Sequence, residues 1–116
     1  MMDPSSSIQP LLSLLGLARR ANRIAPGFDA AVSALTEHLS DAVFITTDCA
    51  PRTERNIRRI AAENRAEVLS LSCTKAELGH AIGCPPTGVL VLTDRGFLRK
   101  ARTLIPNAET IQGGKK

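Results

Sequence analysis

Apolar positions along this chain of 116 residues alternate between a helical and an extended spacing. Ile8, Leu11, Leu12, Leu15 and Ala18 recur every three or four residues and predict a first helix over 8–21, with Pro10 tolerable only in its first turn. Residues 24–27 form a short extended piece closed by a turn. A second helix is expected over 28–39, with Val32, Leu35 and Leu39 inward. The compact apolar run over 42–46 reads as a strand covered on both faces. After the Asp48 to Pro51 turn, a third helix over 52–64 points Ile57, Ile60 and Ala61 inward. Its outer face carries Arg52, Arg55, Arg58, Arg59 and, at its end, Arg65. A strand over 67–71, a helix over 75–82, a strand over 88–93 and a last helix over 95–105 complete the order. Pro106 ends the last helix.

The segment from Thr74 to Thr93 is the most explicit. Thr74 and Glu77 have capping-box spacing, in which each side chain satisfies an amide near the other. Gly83 stands where a helix exits through a left-handed residue. Cys84, Pro85, Pro86, Thr87 and Gly88 cannot prolong the helix and make a stiff loop, suited to display. Asp48 and Asp94 both follow strands, and helix capping is their simplest role. Strands alternating with helices imply an α/β fold of three layers, an α/β/α sandwich. Residues 8–106 form one domain, with 1–7 and the basic tail 107–116 expected to be flexible.

Composition narrows the function. Hydrophobic residues reach 43%, enough for a packed core. Trp and Tyr are absent and Phe occurs three times, so stacking of bases on surface aromatics is excluded as a main recognition mode. Net charge is +4, and eleven of the fifteen basic residues are Arg, a mild pointer to nucleic acid. Cys49, Cys73 and Cys84 have neither disulfide nor zinc spacing. With no signal segment or membrane span, a cytoplasmic protein is expected.

No phosphate loop or nucleophile elbow occurs, and neither His38 nor His80 has a spacing that demands a catalytic role. No catalytic residue, metal site or cofactor is expected. Two basic rows stand out: Arg52, Arg55 and Arg59 with Arg58 on the third helix, and Arg95, Arg99, Lys100 and Arg102 on the last. Each is also compatible with a solvated helix face. Arg19, Arg20 and Arg23 suit the C-terminal dipole of the first helix.

The order of these motifs resembles the ribosomal L-seven-Ae and L-thirty-e superfamily of kink-turn RNA binders, above all its small stand-alone bacterial members. The family's L-G-x-A-x-G matches Leu78, Gly79, Ala81 and Gly83, preceded by Lys75 and Glu77. Its D-x-x-P turn matches Asp48 and Pro51. Its G-x-N-E-x-x-K segment aligns with Gly27 through Ser33, where Gly27 alone is retained. Asp29 stands for the Asn, Ala30 for the Glu and Ser33 for the Lys. Asp29 can accept a hydrogen bond but not donate one, Ala30 can read nothing, and Ser33 carries no charge.

The resemblance implies an L-thirty-e-like sandwich around a mixed four-stranded sheet. It implies a non-enzymatic monomer that binds structured RNA of ribosomal type, with other ribonucleoprotein components as further partners. The contacts it implies are Gly27, Phe28, Asp29, Ala30, Ser33, Lys75, His80, Gly83, Cys84, Pro85, Pro86 and Thr87, with phosphate contacts from Arg23, Arg52 and Arg55. The alternatives are a protein-interaction module on the same fold, or an RNA-recruiting accessory of a separate RNA-modifying enzyme.

Overall fold

Two apolar faces on each central strand force helices onto both sides of the sheet. In the computed structural model, which describes residues 8–105, Ala42 and Phe44 of one strand and Leu90 and Leu92 of another bury against one helical layer. Val43, Ile45, Val89 and Val91, alternating with them, bury against the other. The elements are α1 (Gln9–Arg20), β1 (Ile24–Pro26), α2 (Phe28–Thr36), β2 (Ala42–Ile45), α3 (Pro51–Glu63), β3 (Glu67–Ser70), α4 (Lys75–Ile82), β4 (Val89–Leu92) and α5 (Arg95–Thr103). Helices α1, α4 and α5 cover the first face, and α2 and α3 the second. The sandwich and its mixed sheet are as expected. Residues 1–7, Pro106 and the tail lie outside the described residues. Among the described residues, no helix is long and apolar enough to cross a membrane.

The strand order is β1-β4-β2-β3. Strand β4 runs antiparallel to β1 and β2, while β2 and β3 are parallel. The register sets Pro26 beside Leu90, Ile45 beside Val89, and Ile45 beside Ser70. The ends of β1, β2 and β3 therefore share one edge with the start of β4. We call this the Gly27 edge. The opposite edge, where β4 ends and α5 begins, is the Arg95 edge.

Helices α2, α3 and α4 all start at the Gly27 edge, because each follows a strand that ends there. Four helices close with the same kind of bond across a left-handed residue. Arg23 N–H donates to Ala18 O, Leu39 N–H to Ala34 O, Ala66 N–H to Ala61 O, and Cys84 N–H to Gly79 O, at 2.8 to 2.9 Å. The left-handed residues are Asn22, His38, Arg65 and Gly83.

Here the structure departs from the periodicity. The second helix stops at Thr36 rather than running to Leu39, because His38 adopts φ +57° and turns the chain. Leu39, expected inward, is 51% exposed. Arg65 is likewise a left-handed exit residue and not part of a helix face.

Candidate RNA-contacting edge

Thr46, Thr47 and Asp48, which follow β2, tie the loops of the Gly27 edge together. Thr46 N–H donates to Gly88 O at 3.0 Å. Thr47 donates to Cys73 O through both its amide and its hydroxyl, at 3.0 and 3.1 Å. Asp48 Oδ1 accepts from Lys75 N–H at 2.8 Å and from the Thr46 hydroxyl at 3.1 Å. Asp48 does cap a helix, but it caps α4, twenty-seven residues onward, while α3 starts at Pro51 behind Ala50, which gives it no side-chain cap. Asp94, in contrast, caps its own helix through Phe97 N–H at 2.9 Å.

Helix α4 is fixed at both ends. The Thr74–Glu77 capping box is complete, with bonds of 2.9 and 3.1 Å. The 84–87 loop folds back on the helix: Thr87 N–H donates to Lys75 O at 3.0 Å, and the Thr87 hydroxyl to Pro85 O at 2.7 Å. This return is possible because Gly79 has no side chain. A methyl there would stand 2.8 Å from Cys84 O and still closer to Pro85 O. Gly88 similarly leaves room for the Lys75 stem, which would lie 3.2 Å from an added methyl.

These connections enclose a shallow hollow of about 230 Å³. Gly27, Phe28, Lys75, Pro86 and Thr87, all expected contacts, line it together. Gly27 holds φ +94°, a conformation glycine adopts without strain, and its N–H donates 2.8 Å to Val89 O. Asp29, Ala30 and Ser33 follow on the first turns of α2, with Asp29 and Ser33 exposed. Arg52 and Arg55 are exposed on the opening turns of α3, next to Ala50 and Thr53 of the hollow.

Other expected contacts are placed elsewhere. Cys84 packs half-buried against the α1–α4–α5 core, and Gly83 ends α4 away from Lys75. Pro85 is exposed within the loop. His80 lines a separate groove with Leu12 and Ser13 of α1. Arg23 lies at the Arg95 edge, where its carbonyl accepts from Thr93 N–H at 2.8 Å.

Cys49, Ala50, Thr53, Gly88 and Val89 complete the hollow without having been anticipated. The D-x-x-P turn marked the first two; nothing in the spacing marks Thr53.

Electrostatics at this edge favours tight, inert packing. Desolvation, the largest single influence, raises the Asp48 carboxyl. The Lys75 amide, the Thr46 hydroxyl, its own amide and the Lys75 charge outweigh that and hold it below the usual aspartate range. Burial, then the nearby Glu54, pushes the Cys49 thiol up. Burial, then Glu77 and Asp48, pushes Cys73 up to about 11. Neither thiol is poised as a nucleophile. Among the described residues, no His, Cys, Asp and Glu group could hold a metal.

A stitched edge at which three helices begin, with a glycine turn opening one and a Leu78-Gly79 helix beside it, defines a class. Residues 9–101 match the Ribosomal protein L7Ae/L30e/S12e/Gadd45 family, and the chain belongs to it. Two bacterial relatives are both called RNA-binding protein YlxQ. That of Enterococcus faecium is 26% identical over 97 residues, covering 84% of this chain and 92% of the relative. That of Bacillus subtilis is 27% identical over 92 residues, covering 79% and 91%. A Bacillus halodurans protein of unknown function superposes with a TM-score of 0.75 at 30% identity, covering 83% of this chain and 96% of the other. The fold also matches a Giardia lamblia 15.5kD RNA binding protein, with a TM-score of 0.72 at 17% identity over 90% and 89% of the two chains.

Proposed function

We propose that this chain is a non-enzymatic RNA-binding protein that grips structured RNA, a kink-turn or related internal loop of ribosomal type, at the Gly27 edge. One observation carries the reading: α2, α3 and α4 all present their N-termini at that edge, and α2 and α3 have no side-chain cap. Their first amides are left to water or to a ligand, and helix N-termini favour anions. Around them, the Gly27 turn and the Pro86–Thr87 loop supply a rigid concave shape, and Arg52, Arg55 and Lys75 supply cations. The names of the bacterial relatives support RNA as the ligand. The raised thiols and the engagement of Asp48 as a cap argue against chemistry at this edge.

Recognition rests on backbone and shape, since Asp29, Ala30 and Ser33 lack the donors, acceptor and charge of the family's base-reading set. Titration against a kink-turn duplex, the same duplex with its sheared pairs mutated, and a plain duplex of equal length tests this. The kink-turn is expected to bind best, by a modest margin. No binding at moderate salt overturns the RNA reading, and equal affinity for all three overturns kink-turn preference. The combined change Asp29→Asn, Ala30→Glu, Ser33→Lys is expected to tighten kink-turn binding selectively.

A further inference from the structure

The basic surplus of the chain does not sit where the proposed RNA site is. Around the Gly27 edge, Arg52, Arg55 and Lys75 are balanced by Asp29, Asp48 and Glu77. On the outer face of α3, Arg58 pairs with Glu54 at 2.9 Å and Arg59 with Glu63 at 3.3 Å. The Arg95 edge is different. The last turn of α1 brings Arg19 and Arg20 there, and Arg23 is bonded to Thr93. Arg65 leaves α3 just before Glu67, whose amide donates to Asp41 O at 2.8 Å. Helix α5 runs along this edge. It starts at Arg95 beyond β4 and reaches the beginnings of β2 and β3, where Arg102 meets Asp41 at 3.6 Å and Glu67 at 2.7 Å. Seven arginines thus face four carboxylates, Glu37, Asp41, Glu67 and Asp94. Arg102 takes two of these, and Asp94 is occupied in capping α5. Arg19, Arg20, Arg23, Arg65, Arg95 and Arg99 are all exposed and make no ion pair among the described residues.

This edge is also concave. A hollow of about 570 Å³, larger than the one at Gly27, is lined by Arg95, Arg99 and Arg102 together with His38 and Asn64; Asp41 and Asp94 also line it, the first engaged by Arg102 and the second by the α5 cap. A protein partner fits it poorly, because protein interfaces need a desolvated apolar centre. The large apolar side chains exposed among the described residues are Leu17 on α1 and Leu39 in the turn after α2; only Leu39 lines this hollow, among charged and polar groups, so the two form no continuous patch. Guanidinium groups around an open groove suit phosphate oxygens, which arginine can bind bidentately.

We propose that the Arg95 edge is a second RNA-binding surface, which holds the phosphate backbone of another RNA segment while the Gly27 edge holds the first. The protein then acts as a bridge between two RNA elements. This rests on the RNA-binding reading above, but its test separates the two.

Full-length protein saturated with an unlabelled kink-turn duplex is titrated with labelled oligouridine at several salt concentrations. The same titration is made with a variant carrying Arg20→Gln, Arg23→Gln, Arg95→Gln and Arg99→Gln. These exposed side chains, which make no ion pair among the described residues, can change without disturbing the core, and circular dichroism verifies the fold. The wild type is expected to bind oligouridine on top of the duplex. The variant is expected to lose that binding with duplex affinity unchanged, its log K against log salt slope flattening by about 3. Displacement of oligouridine by the duplex overturns the second surface, as does an unchanged slope in the variant. Equal competition by polyglutamate overturns RNA as the occupant. If oligouridine binds and the duplex does not, the Gly27 reading fails while the Arg95 surface stands.

Discussion

Replacing Gly79 by alanine separates local helix preference from the fold's need for close approach. Gly79 is buried within α4, and alanine inside a helix is ordinarily favoured over glycine by about 1 kcal/mol. The new methyl, however, would stand 2.8 Å from Cys84 O, and closer still to Pro85 O, where ordinary contacts are about 3.5–4.0 Å. Both obstacles are main-chain carbonyls. Their loop is held by Cys84 N–H on Gly79 O at 2.8 Å and by Thr87 N–H on Lys75 O at 3.0 Å. Relief requires moving the loop or the helix. Overpacking costs about 1–3 kcal/mol, and each loop hydrogen bond lost adds about 1 kcal/mol. After the helix gain is subtracted, a net loss of about 1–3 kcal/mol remains, or at least about 4 °C in Tm for a domain of this size. Thermal unfolding followed by circular dichroism measures it, and kink-turn affinity is expected to fall with it. Gly83→Ala is the comparator. Nothing crowds a methyl there, but φ is +71°, so the cost of about 1–2 kcal/mol is conformational and the loop stays in place. A Gly79→Ala protein as stable as wild type would refute the close-approach argument.

Two further expectations concern pH. The folded Asp48 carboxyl lies below its unfolded value, near 4, so its stabilisation is present above that value and lost as pH falls through the folded one. The stability gap between wild type and Asp48→Asn, read from urea midpoints, should close below about pH 4; a gap independent of pH would contradict the assignment. Cys73 is held up at about 11, above its unfolded value, so its contribution is complete below that value and fades as pH rises toward the folded one. Cys73→Ala should flatten the alkaline decline, with the smaller Cys49 contribution remaining, and an unchanged decline counts against it.

What could be read from the chain was whatever neighbouring residues encode together. Thr74, Glu77 and Gly83 announced α4 to the residue, the compact apolar run through 42–46 announced one central strand and its two covered faces, and the buried run through 88–93 announced the other strand. What could not be read depends on partners distant in sequence. Asp48 looked like the cap of the helix that follows it, yet the carboxylate reaches across to Lys75 because Thr47 is bonded to Cys73 and brings the two loops together. The end of α2 was missed for a local reason. Glycine is the usual signal of a left-handed exit, and here His38 and Arg65 take that conformation without it. Of the expected site, Gly27, Phe28, Lys75, Pro86 and Thr87 meet at one hollow because the strand register aligns the start of β4 with the ends of β1 and β2. His80 was assigned by its place in a motif. That motif fixes its position along α4 but not the side it faces, which is toward α1.

The same topology that gathers helix N-termini at the Gly27 edge gathers the C-termini of α1, α2 and α3 at the Arg95 edge. Each such end carries a charge equivalent to about −0.5, so some cations are expected there on stability grounds alone. Three ends account for fewer than two positive charges, while arginines exceed carboxylates by three at that edge. The remainder is not needed to balance the fold, and α5, whose positive N-terminal end lies at the same edge, adds to it. Charge is placed on the face where the helix dipoles tolerate it, and open amides on the face where they attract phosphate. An RNA that touched only the Gly27 edge would leave that surplus of arginine unused.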